Sequence, residues 1–282
     1  MNAKLKNFFI RLLSGAVFVS LVLGTLLYCP IAFIVLFAVF VAIGLHEFHR
    51  ATNQSENLSV SAWSAMLAGV LLFLAFFQQQ AAVAGPSLFA VYALWLMACL
   101  LAELFRKKEK PLHNLAYMAL GQLYVALPLA MLSLLLFTKD GEWQSAWVLL
   151  MLVTIWINDS FAYIFGILFG KHRMFERISP KKSWEGFAGG AFMSLLFGIA
   201  CYYYVPQLFP TATPSLNLWQ WMLLAEIIVA SSTLGDLLES LMKRNLGIKD
   251  YGRIMPGHGG VLDRFDSLIA SVIALWAFLA LL

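Results

Sequence analysis

The chain has 282 residues, of which 61% are hydrophobic and only 12% charged, and its mean hydropathy is +0.81. Those proportions exclude an ordinary soluble globular domain and point to a polytopic membrane protein. A net charge of +4 would suit nucleic acid in a soluble protein, but in a membrane protein the cations report topology, so no nucleic-acid partner is expected.

At about 20 apolar residues per helical span, the length admits about nine spans with short connections and no separate soluble domain. Apolar runs predict an all-α chain with spans near residues 8–29, 31–48, 60–78, 83–104, 113–137, 144–168, 186–205, 218–241 and 260–281. The first run follows Lys4, Lys6 and Arg11 as a signal peptide would, but no small-residue cleavage site follows it, so it is read as an uncleaved helix. Only Cys29 and Pro30 separate the first two runs, which leaves a re-entrant hairpin as the alternative there. Cys29, Cys99 and Cys201 are too dispersed for a disulfide framework or a zinc site.

The cations test this map. Those at residues 4–11, 50, 106–110, 171–182 and 243–264 all fall on one side if the spans alternate, and Lys139 alone falls on the other. By the positive-inside rule the N-terminus is then cytoplasmic and Leu282 outside. Ionisable residues that look buried are few before about residue 138, where His46, Glu47, His49 and Glu103 sit near predicted helix ends and can reach the interface cheaply. Residues 1–137 are therefore expected to be scaffold helices, with Glu47 the residue to watch, and 138–282 the catalytic half.

Three clusters in that half carry chemistry. The sixth span contains Asn158 and Asp159, and an ionised carboxylate inside an apolar helix is costly unless it is paired or faces a cavity. Ser179-Pro180-Lys181-Lys182-Ser183-Trp184-Glu185-Gly186 precedes the seventh span, with Lys181 and Lys182 as compact charges for phosphate and Ser183 as a donor. The third cluster is Ser240 to Asp266, SLMKRNLGIKDYGRIMPGHGGVLDRFD. Its cations Lys243, Arg244, Lys249 and Arg264 and a turn through His258, Gly259 and Gly260 suit an anion, with backbone amides free to approach it. Lys249 and Asp250 have the alternative of pairing to fix the loop. Asp236, Glu239 and Lys243 lie at i, i+3 and i+7 on one helix face, and Asp263, Asp266 and Ser267 open the ninth helix. Carboxylates that converge repel one another unless a cation sits among them, which is the reason to expect a divalent metal such as Mg²⁺. Capping of the ninth helix remains a competing role for Asp263.

The run S-L-M-K-R, K-D and P-G-H-G-G-V-L-D-R-F-D, together with S-P-K-K-S-W-E-G, resembles the signature of the phosphatidate cytidylyltransferases, or CDP-diacylglycerol synthases. Ser183 stands where that family usually has threonine. The resemblance implies transfer of a cytidylyl group from CTP or dCTP to phosphatidic acid in phospholipid biosynthesis, with Mg²⁺ and a second, monovalent cation such as K⁺. It also implies Asp236 and Asp263 as metal carboxylates, to which Glu239 is added here. Lys243, Arg264 and Asp266 are expected at the reacting phosphates, and Asp159, Lys181, Lys182, Ser183, Arg244, Lys249, His258, Gly259 and Gly260 around the substrates. The expected setting is a bacterial plasma membrane with the site on the cytoplasmic side and the bilayer as partner; a homodimer is compatible with it. Competing readings are a cation-coupled transporter with Asp159 and Asp236 as carriers, a CTP-dependent lipid kinase and a structural subunit.

Overall fold

A computed structural model describes residues 3–210, 216–257 and 259–282, with the backbone alone for 3–8 and 10. Most of the described residues are helical. We number the helices α1 (Ala3–Tyr28), α2 (Pro30–Glu56), α3 (Ala62–Gln80), α4 (Leu88–Phe105), α5 (Pro111–Leu136), α6 (Ala146–Phe169), α7 (Trp184–Leu208), α8 (Leu218–Asn245) and α9 (Asp266–Ala280). The first eight are long and apolar enough to cross a membrane, and α9 is a shorter apolar helix. The chain is a polytopic all-α membrane protein.

The chain divides into two compact units, the first comprising Met1–Trp143 and Asn245–Phe265 and the second Gln144–Arg244 and Asp266–Leu282. The loop after α8 thus clusters with the N-terminal helices.

In the first unit, extended backbone at Cys29 ends α1, and Pro30 restarts a helix at the position where its missing N–H costs nothing. The restarted helix runs unbroken for 27 residues, so no re-entrant hairpin forms. Asn57 closes it in the left-handed conformation. The next turn is clamped by Asn53, whose amide donates to the Val60 carbonyl at 2.9 Å and accepts from the Val60 N–H at 3.0 Å. Ser61 and Ser87 cap α3 and α4. Helix α5 widens into a π-turn at Gln122–Ala126, just before Pro128, a residue that has no N–H to give and whose ring crowds the preceding turn. The core is aromatic: Phe265, at the end of the long loop, inserts between Phe18, Phe37 and Phe40 with ring centroids 5.2 to 6.0 Å apart.

In the second unit, α6 and α7 lie close together, and a side chain at Gly186 would put its Cβ 2.6 Å from the Ala162 carbonyl. Between them is a two-stranded antiparallel hairpin, β1 (Arg173–Phe175) and β2 (Ser179–Ser183), with Arg173 opposite Ser183. Trp147 and Trp221 stack at 5.8 Å between α6 and α8.

Candidate functional site

The second unit gathers charge around a cavity of about 260 Å³ lined by residues of α6, β2, α7 and α8, among them Asp159, Lys181, Lys182, Ser183 and Asp236. Each is placed by its element. Asp159 is nearly three turns from the end of α6 and exposed to the cavity, not sealed in the helix packing. The hairpin presents Lys181 outward and turns Lys182 inward, where its Nζ meets Asp236 Oδ2 at 2.6 Å. Both members of that pair keep about a third of their surface, 27% and 31%, so they remain reachable.

Ser183 is buried and caps α7, its hydroxyl accepting the Gly186 N–H at 3.2 Å. Glu185, given no role from sequence, accepts the backbone N–H groups of Lys171 and His172 and meets His172 Nδ1 at 2.6 Å. A carboxylate in the first turn of a helix is stabilised there by the positive end of the helix dipole, which is the signal that would have found it.

Helix α8 supplies Asp236, Glu239 and Lys243. Ser240 Oγ donates to Asp236 at 3.3 Å, which steadies that carboxylate one turn from its own Cα. Glu239 is fully buried and faces Lys243 Nζ at 2.8 Å, a pair at i, i+4 that neutralises both charges inside the unit. Asp266 opens α9 and accepts the Ser267 N–H at 2.7 Å. It lies in the field of Asp236, Asp159 and Lys243. The approach depends on Gly235, where a Cβ would fall 2.6 Å from the Asp266 carbonyl. Asn158 points its amide at Ser232 and Thr233, each 3.5 Å away. Arg244 is exposed at the end of α8.

Asp263 belongs to the first unit and does not share a helix face with Asp266. It sits in a 3-10 turn at Leu262–Arg264, buried, with Oδ2 accepting the N–H of Gly260 at 2.8 Å and of Tyr251 at 2.9 Å. Beside it, Glu47 of α2 is 3% exposed and accepts the Leu262 N–H at 2.9 Å. Gly252 and Gly260 both pack on the Glu47 carboxylate, where any Cβ would overlap it, and Gly259 holds φ +92. Two carboxylates thus organise the Gly-rich loop through its amides. The loop cations Lys249 and Arg264 are exposed, and among the described residues no ion pair joins Lys249 to Asp250. His258 lies outside the described residues.

Among the described residues no group of three His, Cys, Asp or Glu side chains is arranged to hold a metal ion by itself. What the second unit offers is a smaller donor set, Asp159 and Asp236 on one cavity with Lys182 paired to Asp236. That fits a hard cation which takes one or two carboxylates and completes its shell with water and substrate phosphate.

Proteins named phosphatidate cytidylyltransferase are similar to this chain. One from Mycobacterium bovis is 44% identical over 150 residues, covering 53% of this chain and 45% of that protein. The one from Mycobacterium leprae is 43% identical over 150 residues, with the same coverage of 53% and 45%. That of Staphylococcus haemolyticus is 45% identical over 123 residues, or 44% of this chain and 45% of its own. The chain spans about half the length of the curated relatives it matches. A family model described as the cytidylyltransferase family matches residues 9–282, nearly the whole sequence including both units, and the chain therefore belongs to the cytidylyltransferase family.

Proposed function

We propose that this chain transfers the cytidylyl group of CTP to phosphatidic acid, giving CDP-diacylglycerol and pyrophosphate, at the cytoplasmic face of a bacterial plasma membrane. The observation that carries it is the cavity of the second unit, where lysines and carboxylates meet at the ends of membrane-spanning helices. A lipid phosphate anchored in the bilayer reaches such a place without leaving it. Family membership and the names of the relatives support the nucleotide and the acceptor.

A phosphate monoester oxygen is already an anionic nucleophile, so no deep general base is needed, and the barrier lies in bringing two anions together. Lys181, exposed at the cavity rim, and Lys182 inside it reduce that repulsion, while the Asp236 carboxylate holds Lys182 in place. The buried Glu239–Lys243 pair fixes the α8 turn below Asp236. Mg²⁺ would be held by Asp236 with Asp159 or Asp266, and when bound it supplies positive charge at the phosphates of the nucleotide. Glu239 and Asp263 are buried against Lys243 and the loop amides, whereas Asp236, though paired with Lys182, keeps 31% of its side chain exposed on the cavity and is the best placed of the expected ligands.

The test incubates purified protein with phosphatidic acid, Mg²⁺ and CTP labelled at the α-phosphate and follows label into the lipid. Transfer from the α-position, lost with EDTA and absent with ATP, is the expected result. Exchanging K⁺ for Na⁺ in the same assay reads out the monovalent cation. Label reaching lipid only from the γ-position would replace this reading with a lipid kinase.

A further inference from the structure

The first unit contains a cleft between α3, α4 and α5, helices that carry none of the residues assigned to cytidylyl transfer. It has two adjoining lobes, of about 220 and 330 Å³, with Cys99, Leu115 and Met118 in the walls of both. The first lobe has mixed walls and carries most of the polar side chains of the cleft. There Glu103 accepts from Arg106 Nη1 at 2.8 Å and from Asn114 Nδ2 at 2.7 Å, and Ser61 and Ser64 line the opposite wall. The second lobe is almost wholly apolar, walled by Tyr92, Leu96, Leu100 and Leu123.

The two lobes are ordered along the helices. Going from Glu103 back to Tyr92 on α4, or forward from Asn114 to Leu123 on α5, leads away from the connection that joins them. The α4 path alone is about 16 Å long at the rise of an α-helix. That connection, Arg106-Lys107-Lys108-Glu109-Lys110, is the most basic short stretch of the unit, and Lys107 and Lys108 are exposed on it. Four cations there face two carboxylates, and Glu103 is already matched by Arg106. The outer side of α4 exposes Leu94, Met97, Leu101 and Leu104, so the cleft lies among surfaces that face acyl chains.

We propose that this cleft is a binding site for an anionic bilayer phospholipid, with the headgroup phosphate at Arg106–Lys110 and one acyl chain in the slot toward Tyr92 and Leu123. Polar side chains against a net positive connection match an anionic headgroup, and an apolar slot running inward from them matches the chain attached to that headgroup. The site is separate from the proposed transfer reaction and stands whether or not that reaction is found.

Cys99, at the junction of the lobes, reports occupancy. In the full-length Cys29→Ser/Cys201→Ser protein in detergent, the rate at which N-ethylmaleimide labels Cys99 is measured with phosphatidylglycerol, with phosphatidylcholine and with neither. Phosphatidylglycerol at a few times its dissociation constant is expected to slow labelling about fivefold, because only the unoccupied fraction reacts. Phosphatidylcholine should have little effect, and Lys107→Gln/Lys108→Gln should relieve the protection. Ala119→Trp, which fills the open slot, should slow labelling with no lipid added and abolish the lipid dependence. Equal rates in all three conditions overturn the site, and equal protection by both lipids overturns its anionic selectivity.

Discussion

At the scale of single residues, the carboxylates sort by what they touch. Asp263 holds two loop amides through one oxygen, so Asp263→Asn keeps an acceptor for Gly260 and Tyr251 while removing the charge. It is expected to melt within a few degrees of the parent, whereas Asp263→Ala strands two buried N–H groups and should cost about 2 to 4 kcal/mol. Thermal unfolding in detergent compares the two. If Asp263→Asn falls as far as Asp263→Ala, the charge itself holds the loop; if it melts normally yet loses cytidylyl transfer, a role in the reaction is added to the structural one. Glu103 departs from the sequence expectation of a residue reaching the interface at a helix end. It is 7% exposed and joins Arg106 to Asn114, because the i+3 arginine and the next helix fold over it. Glu103→Gln keeps the Asn114 contact and loses the ion pair, so a loss of about 1 kcal/mol in stability with transfer retained is the expected result.

At the scale of elements, Gly235 sets how near α8 comes to α9. Gly235→Ala places a Cβ against the Asp266 carbonyl, a backbone atom that cannot swing aside, so the helices separate around Asp236. Transfer should fall at least about tenfold, as expected for displacement of about 1 Å at a reacting centre, while Leu234→Ala, on the exposed side of the same turn, should leave it unchanged. Equal activity in both variants would separate this helix contact from the chemistry. Eight of the nine apolar segments were legible as long hydrophobic runs, and the sequence marks Lys182 and Asp236 as site residues without pairing them. What could not be read was the start of the last helix. Residues 260–265 adjoin the last apolar run and fall within its predicted span, yet Asp263 turns back to the loop amides and Phe265 is drawn into an aromatic cluster, so α9 begins only at Asp266. Glu47 illustrates the same limit: its partner is 215 positions away, and no local pattern encodes that distance.

For the whole molecule, α9 decides which side the C-terminal end faces. Its 15 residues span about 22 Å, short of the roughly 30 Å hydrocarbon core, so it crosses only if the bilayer thins locally or the flanking Leu281 and Leu282 complete the path. The positive-inside rule favours the basic connections inside, with Arg106–Lys110 after α4 and Lys243–Arg264 at and after the end of α8, and a ninth crossing would then put Leu282 outside. Cys29, exposed between α1 and α2, should then label with a membrane-impermeant maleimide in intact cells. In a background lacking the other cysteines, Lys107→Cys should label only after permeabilisation and Leu282→Cys should label from outside. Labelling of Leu282→Cys only after permeabilisation, with Cys29 still reached from outside, would mean that α9 enters the membrane without crossing it. The same outcome would put both chain ends with the basic loops. Eight crossings would then satisfy the charge rule equally well, because no Lys or Arg follows Arg264 to distinguish them.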